Sequence, residues 1–301
     1  MDGLEVRTPD LGPVRGRLSD WVTQLWVRLT GRRVSLSEHP WLEAPVGDVD
    51  AIGSDFFERH ARQEGLSVDE QRAPRGLLSD FSRLAGPELD AALVSREIAE
   101  FYELTSRYEL DVWSEWSGIF RPFGRLLSMI FSRRLRQLNV PLSALDTSRG
   151  MSSRVLYLVD SNDEVRLRAW VRELRATRRT LYAGSYGTVE VPGHAGACVK
   201  VCFPLPNGSA VVVMWPESTR DGSLVLHSEG RRFGDPGFYF VAVDGRERRF
   251  ARYVRSFRER IHVFVDEAGE LRTDHELSLF GLRVLKLHYR MRRVPSDTHE
   301  S

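Results

Sequence analysis

Between Val155 and Met291, apolar and polar residues alternate in short runs divided by turn signals. Val165, Leu167, Ala169 and Val171 fall on one side of an extended chain, and Arg166, Arg168, Trp170 and Arg172 fall on the other. A period of two marks a strand, here with one buried and one wetted face. The pattern returns at Ala197, Val199, Val201 and Phe203, and at Leu285, Leu287, Tyr289 and Met291. A chain half with so many strands has to curl, close on itself or be covered, because bare edges and bare apolar faces are unstable.

The alternation predicts strands at Arg154–Asp160, Val165–Arg172, Arg179–Val191, Gly196–Phe203, Ala210–Trp215, Leu224–His227, Phe238–Val243, Ile261–Asp266 and one long strand within Leu271–Met291. Turn chemistry separates them at Ser161-Asn162-Asp163, Pro206-Asn207-Gly208, Asp221-Gly222, Gly234-Asp235-Pro236-Gly237 and Asp244-Gly245. One segment breaks the rhythm. Phe250, Tyr253, Val254 and Phe257 are three or four apart, which predicts an inserted helix over 247–258. Upstream, helical spacing runs from Val14 to Thr30, and Asp50 to Glu64 forms a second candidate helix. Pro87 suits the first turn of a helix whose stripe continues through Leu89, Leu93, Ile98, Phe101 and Leu104. Glu109–Trp116 alternates as a strand, and Phe123–Leu138 returns to helix.

The fold class expected is therefore α+β, a helical N-terminal part followed by a large antiparallel β-rich barrel or strongly curled sheet. The expected organisation is a helical, partly irregular region at 1–86, an α+β domain at 87–293 with about nine strands after the helices, and a disordered tail at 294–301. The order strand, helix, then many strands resembles the opening of fatty-acid-binding barrels and of the helix-grip lipid-transfer fold. The latter implies a long C-terminal helix, where this chain alternates as strand. Lipocalin-like barrels offer a parallel in the helix expected before the last strands. These likenesses concern element order alone.

No apolar run approaches the ~20 residues of a membrane span, and the N-terminus lacks the basic-then-apolar order of a secretory signal. The expected location is cytoplasmic, with a peripheral membrane contact as the variant discussed below. Cys198 and Cys202 sit four apart in one predicted strand, roughly 13 Å between Cα atoms, too far to bridge each other. Only two of the 43 basic residues are lysines, a bias that fits a GC-rich bacterial coding sequence. The net charge of +1 hides a split, with 13 basic and 22 acidic residues through Gly118 and 30 basic and 20 acidic after it. That asymmetry suits an anionic partner for the second part, or attraction between the two parts.

The final hairpin is the most concrete local reading. A three-residue loop Glu267-Ala268-Gly269, with Gly269 at positive φ, pairs His262 with Asp274 and Ile261 with His275. A carboxylate beside an imidazole is the arrangement of acid–base catalysis, which makes His262 and Asp274 the weak catalytic candidates. The simpler reading is an ordinary cross-strand pair on a wetted face. His275 lands on the apolar face and is the candidate polar group inside a cavity, and Tyr289 on the last strand is a further ligand-binding candidate. His262, His275 and His288 lack the short spacing of a metal motif, so no metal and no cofactor is expected.

The loop Glu229–Gly237 carries adjacent Arg231 and Arg232 among glycines, and these arginines are expected to hold a carboxylate or phosphate. At 100° per residue, Phe123, Leu127, Ile130 and Phe131 share one face of the Ile119–Leu138 segment, opposite Arg121, Arg125, Arg133 and Arg136. Such a helix is either a core helix with a solvated basic face, a lid over a lipid cavity, or a surface element on an anionic membrane. The basic residues are too dispersed for a specific nucleic-acid site. The functional expectation is a non-catalytic binding or carrier protein for a small apolar, lipid-like molecule. The alternatives are an interaction module without a cavity and an enzyme using the His262–Asp274 pair.

Overall fold

The structure is a computed structural model and describes residues 18–47, 52–117, 151–174 and 180–294. Most of this is antiparallel sheet. Helix α1 (Leu18–Thr30) leads into β1 (Arg32–Val34), and α2 (Phe56–Gln63) into β2 (Ser67–Asp69). Helix α3 (Arg96–Glu103) precedes β3 (Tyr108–Trp116). Eleven strands follow in the second half: β4 (Met151–Val159), β5 (Val165–Leu174), β6 (Thr180–Val189), β7 (Cys198–Leu205), β8 (Gly208–Ser218), β9 (Leu224–His227), β10 (Gly237–Val243), β11 (Arg249–Tyr253), β12 (Phe257–Val265), β13 (Leu271–Leu279) and β14 (Leu282–Arg293).

The strands join in the order β2-β4-β5-β6-β7-β8-β9-β12-β13-β14-β3, with β10, β11 and β1 as a side branch from β8. Strand β8 is the junction. Its residues Gly208–Met214 pair with β7 on one edge. On the other edge Gly208–Val213 pair with β10, and Trp215–Ser218 then pair with β9. The sheet divides where one edge changes partner, and Pro216, without an N–H to give to a ladder, lies in that last stretch.

The sheet curls until distant strands face each other. Arg172 on β5 lies 5.4 Å from the ring of Tyr289 on β14, seven places further along the strand order. The sheet does not close, however, and the expected barrel is corrected to an open, curled sheet. Among the described residues β3 pairs only with β14, while β2 takes the second edge of β4 at Tyr157–Val159. Apolar side chains from the segment before β3 pack there instead: Leu77, Phe81, Leu84, Ile98, Phe101 and Tyr102 share one core with β3 and β4. Bulky rings there replace the strand pairing that closure needs.

The outer face is covered as well. Trp41 and Leu42, in a short 3₁₀ turn, pack on Cys198, Val211, Val213 and Tyr239. Helix α2 places Phe56, Phe57 and Ala61 on Leu156, Leu158, Ala169 and Val171. The strands are thus buried on both sides, with Val199 and Val201 inside and Cys198 and Cys202 outside on the same β7. Both cysteines are free, and burial pushes the Cys198 thiol up to about 12. The N-terminal region joins the same sheet, since β1 pairs with β11 and β2 with β4. No break at residue 86 is visible among the described residues.

Three element expectations need correction. The helix expected over 247–258 is instead a turn, β11 and the start of β12. The Asp244 carboxylate accepts hydrogen bonds from the backbone N–H groups of Arg246 and Arg248, and Glu247 takes a φ of 59°, which closes a tight hairpin. Pairing with β10 on one side and β1 on the other then overrides the helical spacing. The long strand within Leu271–Met291 is two strands, because Phe280 and Gly281 both adopt positive φ (52° and 81°) in a two-residue turn. The helix expected from Pro87 begins only at Arg96. The backbone before it is tied to the end of β8, where the Ser218 N–H donates to the Glu88 carbonyl and Ser95 donates to Gly222. The expected helix Phe123–Leu138 and most of the expected tail lie outside the described residues.

Candidate functional site

The inner face of the curl lines a half-open cavity of about 540 Å³. Its walls follow from the period of two. Trp170 and Arg172 come from β5, Val201 and Phe203 from β7, Ala210, Val212 and Met214 from β8, and Ile261 and Val263 from β12. Each is an alternate residue, so a single register sends a whole row of side chains inward.

Few polar groups enter this space, and they are grouped. His275 and Tyr289 line the cavity. The His275 Nε2 lies 2.8 Å from the Glu259 Oε2, and both side chains are largely buried. Tyr182 and Tyr186 project from β6. Burial pushes both phenols up, Tyr186 to about 12 against an opposing pull from Arg172, so both remain neutral hydroxyls near pH 7. The Tyr182 hydroxyl is buried without a well-formed hydrogen bond. Gly184, on the same face, leaves room for that ring: a Cβ there would stand 2.8 Å from the Tyr182 hydroxyl oxygen and 3.0 Å from the Cys202 carbonyl oxygen.

Arg172 is the group that sequence reasoning missed. It was expected on a wetted face, yet only 7 % of it is exposed. Its guanidinium carbon stands 4.3 Å from the centroids of both Trp170 and Tyr182. Its Nε has no hydrogen-bond partner. The face carrying Arg172 and Trp170 is the cavity wall, while Val171 and Ala169 on the other face meet α2. The signal available in the sequence was Trp170 itself, a large aromatic ring among the arginines of a supposedly wetted face.

Arg231 and Arg232 do not reach the cavity. Their exposed loop turns around Asp235, whose carboxylate accepts both of their backbone N–H groups, at 2.8 and 3.0 Å. Phe233, the next residue, packs on Trp41 and Tyr239, which anchors the loop to the outer layer. The membrane or lid residues Phe123, Leu127, Ile130 and Phe131 lie outside the described residues.

The hairpin register matches the expectation at every pair, including His262 with Asp274 and Ile261 with His275. The proposed chemistry does not follow from it. Asp274 accepts from Nδ1 of His288 at 2.7 Å and pairs with Nζ of Lys286 at 2.8 Å, while His262 stacks on Phe264. Burial works to raise the Asp274 carboxyl, but these two neighbours hold it below the usual range. His262 and Asp274 occupy the sheet face opposite the His275 face, away from the cavity. The same alternation separates His275 from His262 and His288, so the three imidazoles do not converge.

Burial lowers the His262 pKa from 6.5, with Arg260 reinforcing the effect and Asp221 and Asp274 opposing it. The folded chain therefore binds less proton at this site than the unfolded one. The corresponding stability is present above about pH 6.5 and is lost as the pH falls. Urea midpoints measured between pH 7.5 and 5.5 should decline less for His262→Gln than for the parent; parallel declines would refute the assignment.

Comparison with known proteins gives limited kinship. No family model matches the chain. It is 29% identical over 251 residues to the "Uncharacterized membrane protein YndJ" of Bacillus subtilis (strain 168), an alignment covering 81% of this chain and 42% of that protein. This chain thus spans less than half the length of that relative. No solved structure matches. Among the described residues, no helix is long and apolar enough to cross a membrane.

Proposed function

We propose that this chain is a binding or carrier protein for a small apolar, lipid-like molecule held inside the curled sheet. The observation that carries the reading is the cavity. Its roughly 540 Å³ falls within the range of small-molecule sites, and its walls are apolar with a few grouped polar side chains. Kinship with a protein named for the membrane fits an apolar cargo.

The neutral fluorophore N-phenyl-1-naphthylamine tests the reading, because its quantum yield rises on leaving water. Saturable one-to-one binding in the micromolar range is expected, together with an apolar molecule released from gently purified protein in native mass spectrometry. An interior that excludes the fluorophore and releases nothing would overturn the proposal.

A further inference from the structure

The cavity contains a fixed cation, Arg172, with no ion-pair partner among the described residues. Among all described groups, no carboxylate stands within ion-pair distance of Arg172. The one carboxylate lining the same space, Glu259, is engaged by His275 at 2.8 Å. A guanidinium cannot shed its proton to escape burial, as a lysine would. Burying an unpaired charge costs several kcal/mol. The rings of Trp170 and Tyr182, each 4.3 Å away, offset part of this, because a cation over an aromatic face gains about 0.5–2 kcal/mol. An anionic group entering the cavity would supply the balance.

Chemistry narrows what that is. Arg172 lies against two rings set at an angle to each other, and its planar fork suits the paired oxygens of a carboxylate or phosphate. The Tyr182 hydroxyl, buried beside Tyr186 without a well-formed hydrogen bond, is a second donor that can turn to such an acceptor. Val212, Ala210, Phe238 and Ile261 supply hydrocarbon and aromatic surface elsewhere on the wall. We propose that the cavity takes an amphipathic ligand with one anionic head, a carboxylate or a phosphate monoester, bound at Arg172 and Tyr182 with its tail along the apolar wall. This deepens the carrier reading and rests on it.

Competition against bound N-phenyl-1-naphthylamine separates the two ideas, since the fluorophore carries no charge. The competitors share a twelve-carbon tail: dodecanoate, dodecyl phosphate, dodecanol and dodecylammonium, all below their micelle concentrations. At least one anion should compete tenfold or more better than dodecanol, and which one does so tells carboxylate from phosphate. Dodecylammonium should be the weakest. Arg172→Met should bring the anions down to the dodecanol level measured in the same variant, and Arg172→Lys should keep part of the preference. Equal competition by all four heads in the parent protein would overturn the anion site and leave the carrier reading standing, whether or not the variants fold. Survival of the preference in Arg172→Met would overturn it too. Failure of the fluorophore to bind at all would remove both.

Discussion

Trp41→Ala should destabilise the protein by about 3–5 kcal/mol, the range for emptying a buried aromatic site. Trp41 is 2% exposed and forms the centre of the outer layer, with Tyr239 at 4.8 Å and Phe233 at 5.6 Å between ring centroids. Its indole nitrogen is buried without a hydrogen-bond partner, so truncation removes packing and no polar bond. The cavity left behind could not collapse easily. Trp41 is pinned between the sheet and the Phe233 loop, and Leu42 beside it packs on the same strands. Urea denaturation at pH 7.5 measures the effect. A loss under 1 kcal/mol would show that the N-terminal segment only rests on the sheet and does not stabilise it. Because Trp41 lies on the face opposite the cavity, the folded fraction of the variant should bind N-phenyl-1-naphthylamine with unchanged affinity.

The two layers explain which parts of the architecture were legible in the sequence. Strand Leu224–His227 and the register of the β12–β13 hairpin were readable because turn residues pinned both ends and side chains alternated cleanly. The turn at Phe280-Gly281 was hidden because phenylalanine rarely adopts positive φ, so nothing but Gly281 marked it. Residues 247–258 misled for a related reason. Phe250, Tyr253 and Phe257 share a helical spacing by coincidence, whereas β1 and β10 supply pairing partners from far away in the chain. The assignment of buried and wetted faces failed most instructively. Alternation says that two faces differ, but a sheet covered outside by α2 and curled around a cavity inside wets neither. Val171 and Arg172 are both buried, one against a helix and the other within the cavity. The arginine-rich face thus came to be read as solvent, and Arg231 and Arg232, polar in sequence and exposed in the fold, were preferred as ligands in its place.

Ala210→Trp should abolish uptake of apolar ligands while leaving the fold intact. Ala210 is the smallest side chain on the β8 wall of the cavity, opposite Phe203 on β7 and Phe240 on β10 across the ladders. An indole there takes the room of roughly four or five methylenes, each contributing ~0.8 kcal/mol when buried, so affinity should fall by about a hundredfold or more. Overpacking usually costs about 1–3 kcal/mol because a filled core has no space to give. Here the new ring enters a void of about 540 Å³, so the urea midpoint should stay within about 1 kcal/mol of the parent or rise. The two readouts discriminate between architectures. If the variant folds and binds N-phenyl-1-naphthylamine as the parent does, the ligand sits elsewhere and the cavity is not the site. If it fails to fold, the interior is already occupied by the chain itself. Only the combination of retained stability and lost binding is what an open, curled sheet built around a ligand predicts.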